Sequence, residues 1–541
     1  MTIDEFYSEI DKSEFYLGMV TQVFKDHIVL QVENLSLLSH RELGNDSLIP
    51  NTINYYVIVE TIKGLVFGET YQSKIASSNN IHFVNKDEIW PEISISVLGI
   101  LANGEESFKL PGTLTAGITD KVYIANNKVI DKYFNTCETV NVSNNNEKKL
   151  SCFAVLASNE QEIAYRPSTL FNKHLMIVGA TNSGKSTSAL SILDKLIKQK
   201  IKVLIIDPTG EYKTAFKGDK NVTRLELGKN TRISVDKLSM QNWESLFETN
   251  GSSQPAVLAS AILSLRHQAA IGKPNNCYVK EKKNPLKVKK ELLDTSDHKD
   301  FNLKKLPEQI INESVKIDKG KYVSDDFTRN SNQFLIEKVN YKIENTSFLE
   351  FFGLTKEGND LFNKIETFVT ESNTSLYLDC SNIRISDLIG GAIIDLISNY
   401  IINLKKEEIK PFVFFIDEVH RYTRKGSDLD NDFYSGLTAI AREGRKKGVF
   451  LFLTTQNPND VDKVLLGQMG TLLIHRLTHN DEISAIKNHL TKKEVAQINK
   501  LETGEAILTS ANLLTDVILR IRKCEGRIQD NETPSLVENN D

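Results

Sequence analysis

The segment Gly179-Ala-Thr-Asn-Ser-Gly-Lys-Ser186 sets two glycines, a lysine and a hydroxyl at the GxxxxGK[ST] spacing. Those residue types at that spacing suit one task, the cradling of phosphate. Glycines let the backbone wrap closely, its N–H groups and the N-terminus of a following helix attract phosphate oxygens, Lys185 reaches the β- and γ-phosphates, and Ser186 offers a hydroxyl to Mg²⁺. The expected nucleotide contacts are Gly179, Ala180, Thr181, Asn182, Ser183, Gly184, Lys185, Ser186 and Thr187, with ATP and Mg²⁺ as cofactors. Such a loop needs a second, acidic site on a neighbouring strand, and Phe412-Val-Phe-Phe-Ile-Asp-Glu418 supplies it after five apolar residues. At the carboxyl end of that strand Asp417 is placed for the metal and its water shell, and Glu418 for polarising an attacking water.

Both motifs need a strand before them and the first needs a helix after it. From about residue 150 apolar runs alternate with amphipathic helical stretches, the signature of βαβ units and a mainly parallel sheet. The expected strands are His174–Val178, Val203–Ile206, Ser375–Leu378, Phe412–Ile416, Val449–Leu453 and Leu472–Ile474. Before residue 110, short β-prone runs separated by Asn, Asp and Gly predict a small N-terminal β-barrel, with a hairpin turning at Lys63-Gly64. The fold class expected is therefore α/β, a P-loop NTPase core preceded by that barrel. The expected domains are a barrel over 1–110, a connecting segment over 111–150, an ATPase core over 151–522 carrying a charged helical insertion at about 240–365, and a loose tail over 523–541. The insertion holds six lysines within Lys280 to Lys290, for which a solvated face is the commoner meaning and DNA contact the rarer one. Ser143-Asn-Asn-Asn146 reads as a turn.

Length and composition bound the rest. The chain has 541 residues, 40% of them hydrophobic and 25% charged, enough for several domains and a large core. With 66 basic and 71 acidic residues the net charge is -5, so no global positive field draws it to nucleic acid, and any DNA contact must be local. Five widely separated cysteines without a CxxC pair argue against a disulfide framework or a cysteine zinc site and fit a reducing cytoplasm. His420 and His475 lack metal-ligand spacing with other histidines and read as structural. The most apolar helical stretch, Leu388 to Leu404, is interrupted by Asp395, Ser398 and Asn399, so no membrane span is expected.

Four further features resemble the HerA branch of the HerA/FtsK translocating ATPases, over roughly residues 14 to 522. Ile206-Asp-Pro-Thr-Gly-Glu-Tyr212 is similar to the family's DxxGEY element, Ile416-Asp-Glu-Val-His420 to its Walker B signature, and Ala441-Arg-Glu-Gly-Arg-Lys-Lys-Gly448 followed by Thr454-Thr-Gln-Asn-Pro458 to its EGRKxG, strand, TQxP order; the N-terminal β-module completes the likeness. The resemblance implies that Asp207 and Glu211 lie near the nucleotide. Gln456, at a strand end beside the Walker B strand, is suited to holding the water or sensing the γ-phosphate. Arg442 and Arg445, three apart on an expected helix, share a face, and Arg445 is the favoured arginine finger for a neighbouring subunit, with Arg442 at an interface or in solvent. Lys173 stands where the family often carries an arginine, and Asn182 where it usually has glycine, a substitution that a left-handed backbone tolerates. What the resemblance implies is a homo-oligomer, a hexamer, that couples ATP hydrolysis to movement of double-stranded DNA and works with a separate effector, a nuclease or a sirtuin-like NAD-consuming subunit. The alternative is a nucleotide-ordered scaffold that regulates an effector without moving DNA.

Overall fold

The computed structural model describes residues 2–529 apart from 39–40, 44–45, 50–52, 76–90, 140–146, 159, 250, 252, 294–299, 345, 354–358, 384–388 and 423–435. The expected turn at Ser143–Asn146 and residues 530–541 of the expected tail lie outside the described residues.

The N-terminal strands are β1 (Tyr16–Val23), β2 (His27–Val32), β3 (Tyr56–Thr61), β4 (Gly64–Ile75), β5 (Pro91–Ala102) and β6 (Lys121–Ile124). All neighbours are antiparallel and the order β1-β2-β5-β4-β3-β6 closes on itself. Alternation explains the barrel: Val57, Val59, Val66, Ile93, Ile95 and Val122 are buried inside it. The strand that closes it, β6, lies past residue 110, in the stretch expected to connect domains. Lys-Val-Tyr-Ile is too short to stand out in sequence, yet it pairs with both β1 and β3 and so removes the last free edge.

The α/β part contributes, in chain order, β7 (Ala154–Leu156), β8 (Glu162–Ile163), β9 (Leu175–Val178), β10 (Val203–Asp207), β11 (Val222–Glu226) and β12 (Ser375–Asp379). There follow β13 (Phe412–Ile416), β14 (Val449–Thr455), β15 (Thr471–Ile474), β16 (Glu505–Ser510) and β17 (Val517–Ile521). The chain divides into two compact units, one made of residues 1–195 and 469–524, the other of 196–468 and 525–541. In the first, the strands run β8-β7-β17-β16-β15-β9, parallel between β9 and β15 and antiparallel elsewhere. In the second, β14-β13-β10-β12-β11 are all parallel. Strands β9, β10, β12 and β13 are buried at every residue, as expected of predominantly apolar runs in a sheet covered on both faces.

The stretch from 240 to 365 is mainly helical, including Ser253–Ala270 and Asp326–Glu344, and adds a hairpin of Val315–Asp318 with Lys321–Ser324. Its lysine run is not uniform. Lys280 is buried and paired with Glu313, Lys283 sits 3.8 Å over the Tyr278 ring, and Lys282, Lys287, Lys289 and Lys290 face solvent. No helix of the described residues is long and apolar enough to cross a membrane.

Candidate nucleotide site

The phosphate loop leaves β9 at Val178 and enters helix α1 (Lys185–Lys198). Asn182 takes the left-handed conformation at φ 61°, and Gly184 has φ 106°, where a side chain would be strained. Gly179 is small for a packing reason: a Cβ there would fall 2.5 Å from Ser183 Oγ and 2.7 Å from His475 Cβ. The turn is closed by Ser183 N–H donating to the Ala180 carbonyl at 3.2 Å. Lys185 is buried, and Ser183 Oγ is buried without a hydrogen-bond partner. Thr181 and Asn182 are exposed, and Ser186 and Thr187 half-buried. A buried cation beside an orphaned hydroxyl in a loop turned by αL residues is a donor set that fits phosphate.

His475 is buried against this loop. Nδ1 lies 2.7 Å from the Glu505 carbonyl and Nε2 2.8 Å from Ser188 Oγ. Burial, with Lys185 nearby, pulls its pKa down to about 4. The contacts to Glu505 and Ser188 seat the histidine beneath the loop, a place that was not legible because β15 and β9 are about 300 residues apart in sequence.

In the second unit, parallel strands deliver a connected set of carboxylates and hydroxyls. Asp207, at the end of β10, is fully buried. It accepts from Thr209 N–H and Oγ1, from Gly210 N–H at 2.8 Å, from Tyr212 N–H at 2.9 Å and from Tyr377 Oη at 2.8 Å. Burial raises its pKa against those donors. Its oxygens thus hold the 207–212 turn, which also carries Glu211. Thr209 Oγ1 lies 3.3 Å from Asp417 Oδ2, and Thr454 Oγ1 donates to Asp417 Oδ1 at 2.5 Å. The same Thr454 oxygen accepts the Glu418 N–H at 2.9 Å. Glu418 is 2% exposed and left-handed at φ 48°, ψ 50°. Its Oε1 accepts from Gln456 Nε2 at 2.8 Å, and its Oε2 lies 3.2 Å from His420 Nδ1. The chain therefore brings Asp417, Glu418 and Gln456 together. Thr209, Tyr377 and Thr454 belong to the same cluster and were missed, although the doubled threonine before Gln456 is the kind of signal that could have marked one of them.

The two arginines sit elsewhere on the same unit. Residues Ile440–Gly444 form a π-helical turn and Arg445–Lys447 a short α-helical one. Arg442 and Arg445 are both exposed, the first on the π turn and the second on the short α turn that follows, where the sequence predicts one regular helix. Among the described residues no group of three His, Cys, Asp or Glu is placed to hold a metal by itself. Mg²⁺ commonly takes one or two carboxylates and completes its shell with phosphate and water, and Asp417, buried with a hydroxyl on each oxygen, fits that demand.

Residues 154–397 match the profile of the central domain of helicase HerA, and residues 403–512 that of the HerA-like C-terminal domain, together more than half of the chain. The chain belongs to the HerA-like P-loop ATPases. The DNA double-strand break repair helicase HerA of Sulfurisphaera tokodaii is 25% identical over 400 residues, 71% of either chain. A probable helicase of Methanocaldococcus jannaschii is 23% identical over 451 residues, 80% of this chain and 79% of that one. Among solved structures, VirB4 of Thermoanaerobacter pseudethanolicus is 14% identical with a TM-score of 0.51, covering 71% of this chain and 98% of that one, a likeness of fold. Gly179–Ser186 falls within the first matched range, and Asp417, Glu418 and Gln456 within the second.

Proposed function

We propose that this HerA-like ATPase forms a hexameric ring in the cytoplasm and couples ATP hydrolysis to translocation of double-stranded DNA. It acts with a separate effector, a nuclease or a NAD-consuming sirtuin-like subunit, in DNA-end processing or antiphage defence. The observation that carries this reading is the Glu418 carboxylate, buried, strained into αL and aimed by Gln456, an arrangement suited to a base and unneeded by a passive strand end. In the proposal Lys185 serves the β- and γ-phosphates, Ser186 and Asp417 the Mg²⁺, which would supply charge neutralisation, and Gln456 positions the water. Asp207 acts by fixing the turn that carries Thr209 and Glu211. Arg445 serves a neighbouring subunit's nucleotide, and Arg442 the contact between subunits. Support for DNA as the partner comes from the HerA relatives, which are described as DNA double-strand break repair helicases.

Turnover by the wild-type protein is expected to rise with linear duplex DNA, and a triplex-forming strand ahead of the enzyme to be displaced only with ATP. Glu418→Gln is expected to bind ATP and not hydrolyse it; turnover at the parental rate would show that Glu418 is not the base. A net charge of -5 is compatible with the scaffold alternative, for which DNA would neither stimulate turnover nor be traversed.

A further inference from the structure

We infer that His475 and the Gly504–Glu505 turn form a latch that presets the phosphate loop from beneath, with His475 as a positioning residue. This rests on the reading of Gly179–Ser186 as the ATP site. The imidazole lies along the floor of the loop. Besides its contact at Gly179, its Cε1 is 3.5 Å from where a Gly184 side chain would begin. A carbonyl oxygen can only accept, so the bond to Glu505 O puts the ring proton on Nδ1 and leaves the Nε2 lone pair to accept from Ser188 Oγ. Ser188 belongs to the first turn of α1, where its N–H donates to the Gly184 carbonyl at 3.0 Å. The chain Glu505 O, His475, Ser188 therefore ties the phosphate-facing end of the helix to β16.

A second tether acts on the loop itself. Gly504 N–H donates to the Ser183 carbonyl at 2.9 Å, and the Gly504 backbone stands 3.0 Å from the space above Gly184. Gly504 adopts φ 87°, so its N–H is aimed by a conformation that glycine takes without strain. Two consecutive residues near the C-terminal end of the first unit thus hold both the last turn of the loop and the first turn of its helix. A loop held in shape before ligand arrives loses less entropy on binding. The bonds His475 makes are to Glu505 O and Ser188 Oγ, so its effect belongs in affinity for nucleotide more than in the chemical step.

The test measures ATP dissociation constants, KM and kcat for wild type, Ser188→Ala, His475→Leu, their double variant and His475→Asn, with a melting curve of each protein. Ser188→Ala and His475→Leu are each expected to raise Kd and KM roughly 3–10-fold, the scale of one buried hydrogen bond, with a smaller change in kcat. The double variant is expected to be no worse than His475→Leu, because both remove the same bond. His475→Asn, whose amide nitrogen can take the place of Nδ1, is expected to recover part of the loss. Multiplying effects in the double variant, or Kd within twofold of wild type in both single variants, would overturn the latch. If His475→Leu does not fold, Ser188→Ala alone decides by the same twofold limit. Lys185→Ala separates the two levels: if it keeps wild-type ATP affinity, the nucleotide site itself is misassigned and the latch goes with it. If it loses affinity while neither Ser188→Ala nor His475→Leu does, only the latch is wrong.

Discussion

Thr454 is a single hydroxyl that donates to Asp417 and accepts from the Glu418 backbone, and so joins the two acids across adjacent strands. Thr454→Val keeps the shape but removes the hydroxyl that donates to the buried Asp417 carboxylate and accepts the buried Glu418 N–H. A stability loss of about 2–3 kcal/mol by denaturant unfolding and more than a tenfold loss of kcat are expected, with Thr454→Ser close to wild type in both. A second expectation concerns acid. His475 has a folded pKa of about 4, below its ordinary value near 6.5, so the unfolded chain takes up the proton first as pH falls. Its contribution to stability is full above pH 6.5 and is lost between there and pH 4, on the order of 3 kcal/mol. Denaturant titrations at pH 7, 5.5 and 4.5 should give a shallower decline for His475→Asn than for wild type, and equal slopes would refute the assignment. Lys185, Asp417, Glu418 and Gln456 stood out by residue type and spacing, and the structure brings the last three together. The placement of His475 could not, because it follows from long-range strand pairing and not from any local pattern.

At the level of elements, the mainly apolar runs ending at Val178, Ile206, Leu378 and Ile416 were legible because a parallel strand buried on both faces has little other composition available to it. The π turn at Ile440–Gly444 was not, since it has no sequence period of its own. Gly444 shows what it costs: a Cβ there would meet Ile440 Cγ2 at 2.8 Å and the Val449 carbonyl at 2.9 Å. Gly444→Ala must therefore shift the segment away from β14 and move Arg445 with it. A loss of about 1–3 kcal/mol in stability is expected, and hydrolysis should fall further than ATP affinity. Unchanged kcat with reduced stability would mean that the turn's position does not matter to turnover.

For the whole molecule, the decisive question is whether one subunit completes its neighbour's site. If Arg445 acts in trans, Arg445→Ala is expected to lose on the order of 10³-fold in turnover with ATP binding nearly intact. Mixing those subunits with Glu418→Gln subunits should restore part of the activity, since some interfaces would pair an intact Glu418 with an intact Arg445. Differentially tagged mixed assemblies that show no gain over the parents would count against it, with dilution by wild-type subunits as the control for a ring that needs every interface.

Because the first unit draws its strands from both ends of the chain, it also sets an order in time. When β9 and the phosphate loop have just been translated, the residues that complete their surroundings, β15, His475 and the Gly504–Glu505 turn, are still about 300 codons away. At roughly 5–20 residues per second that interval is on the order of 15–60 s. Through all of it the nascent loop lacks its floor. Tight nucleotide capture would then wait for β15 and the Gly504–Glu505 turn to be made, and a ribosome arrested after residue 468 would display a phosphate loop that holds ATP more weakly than the completed site.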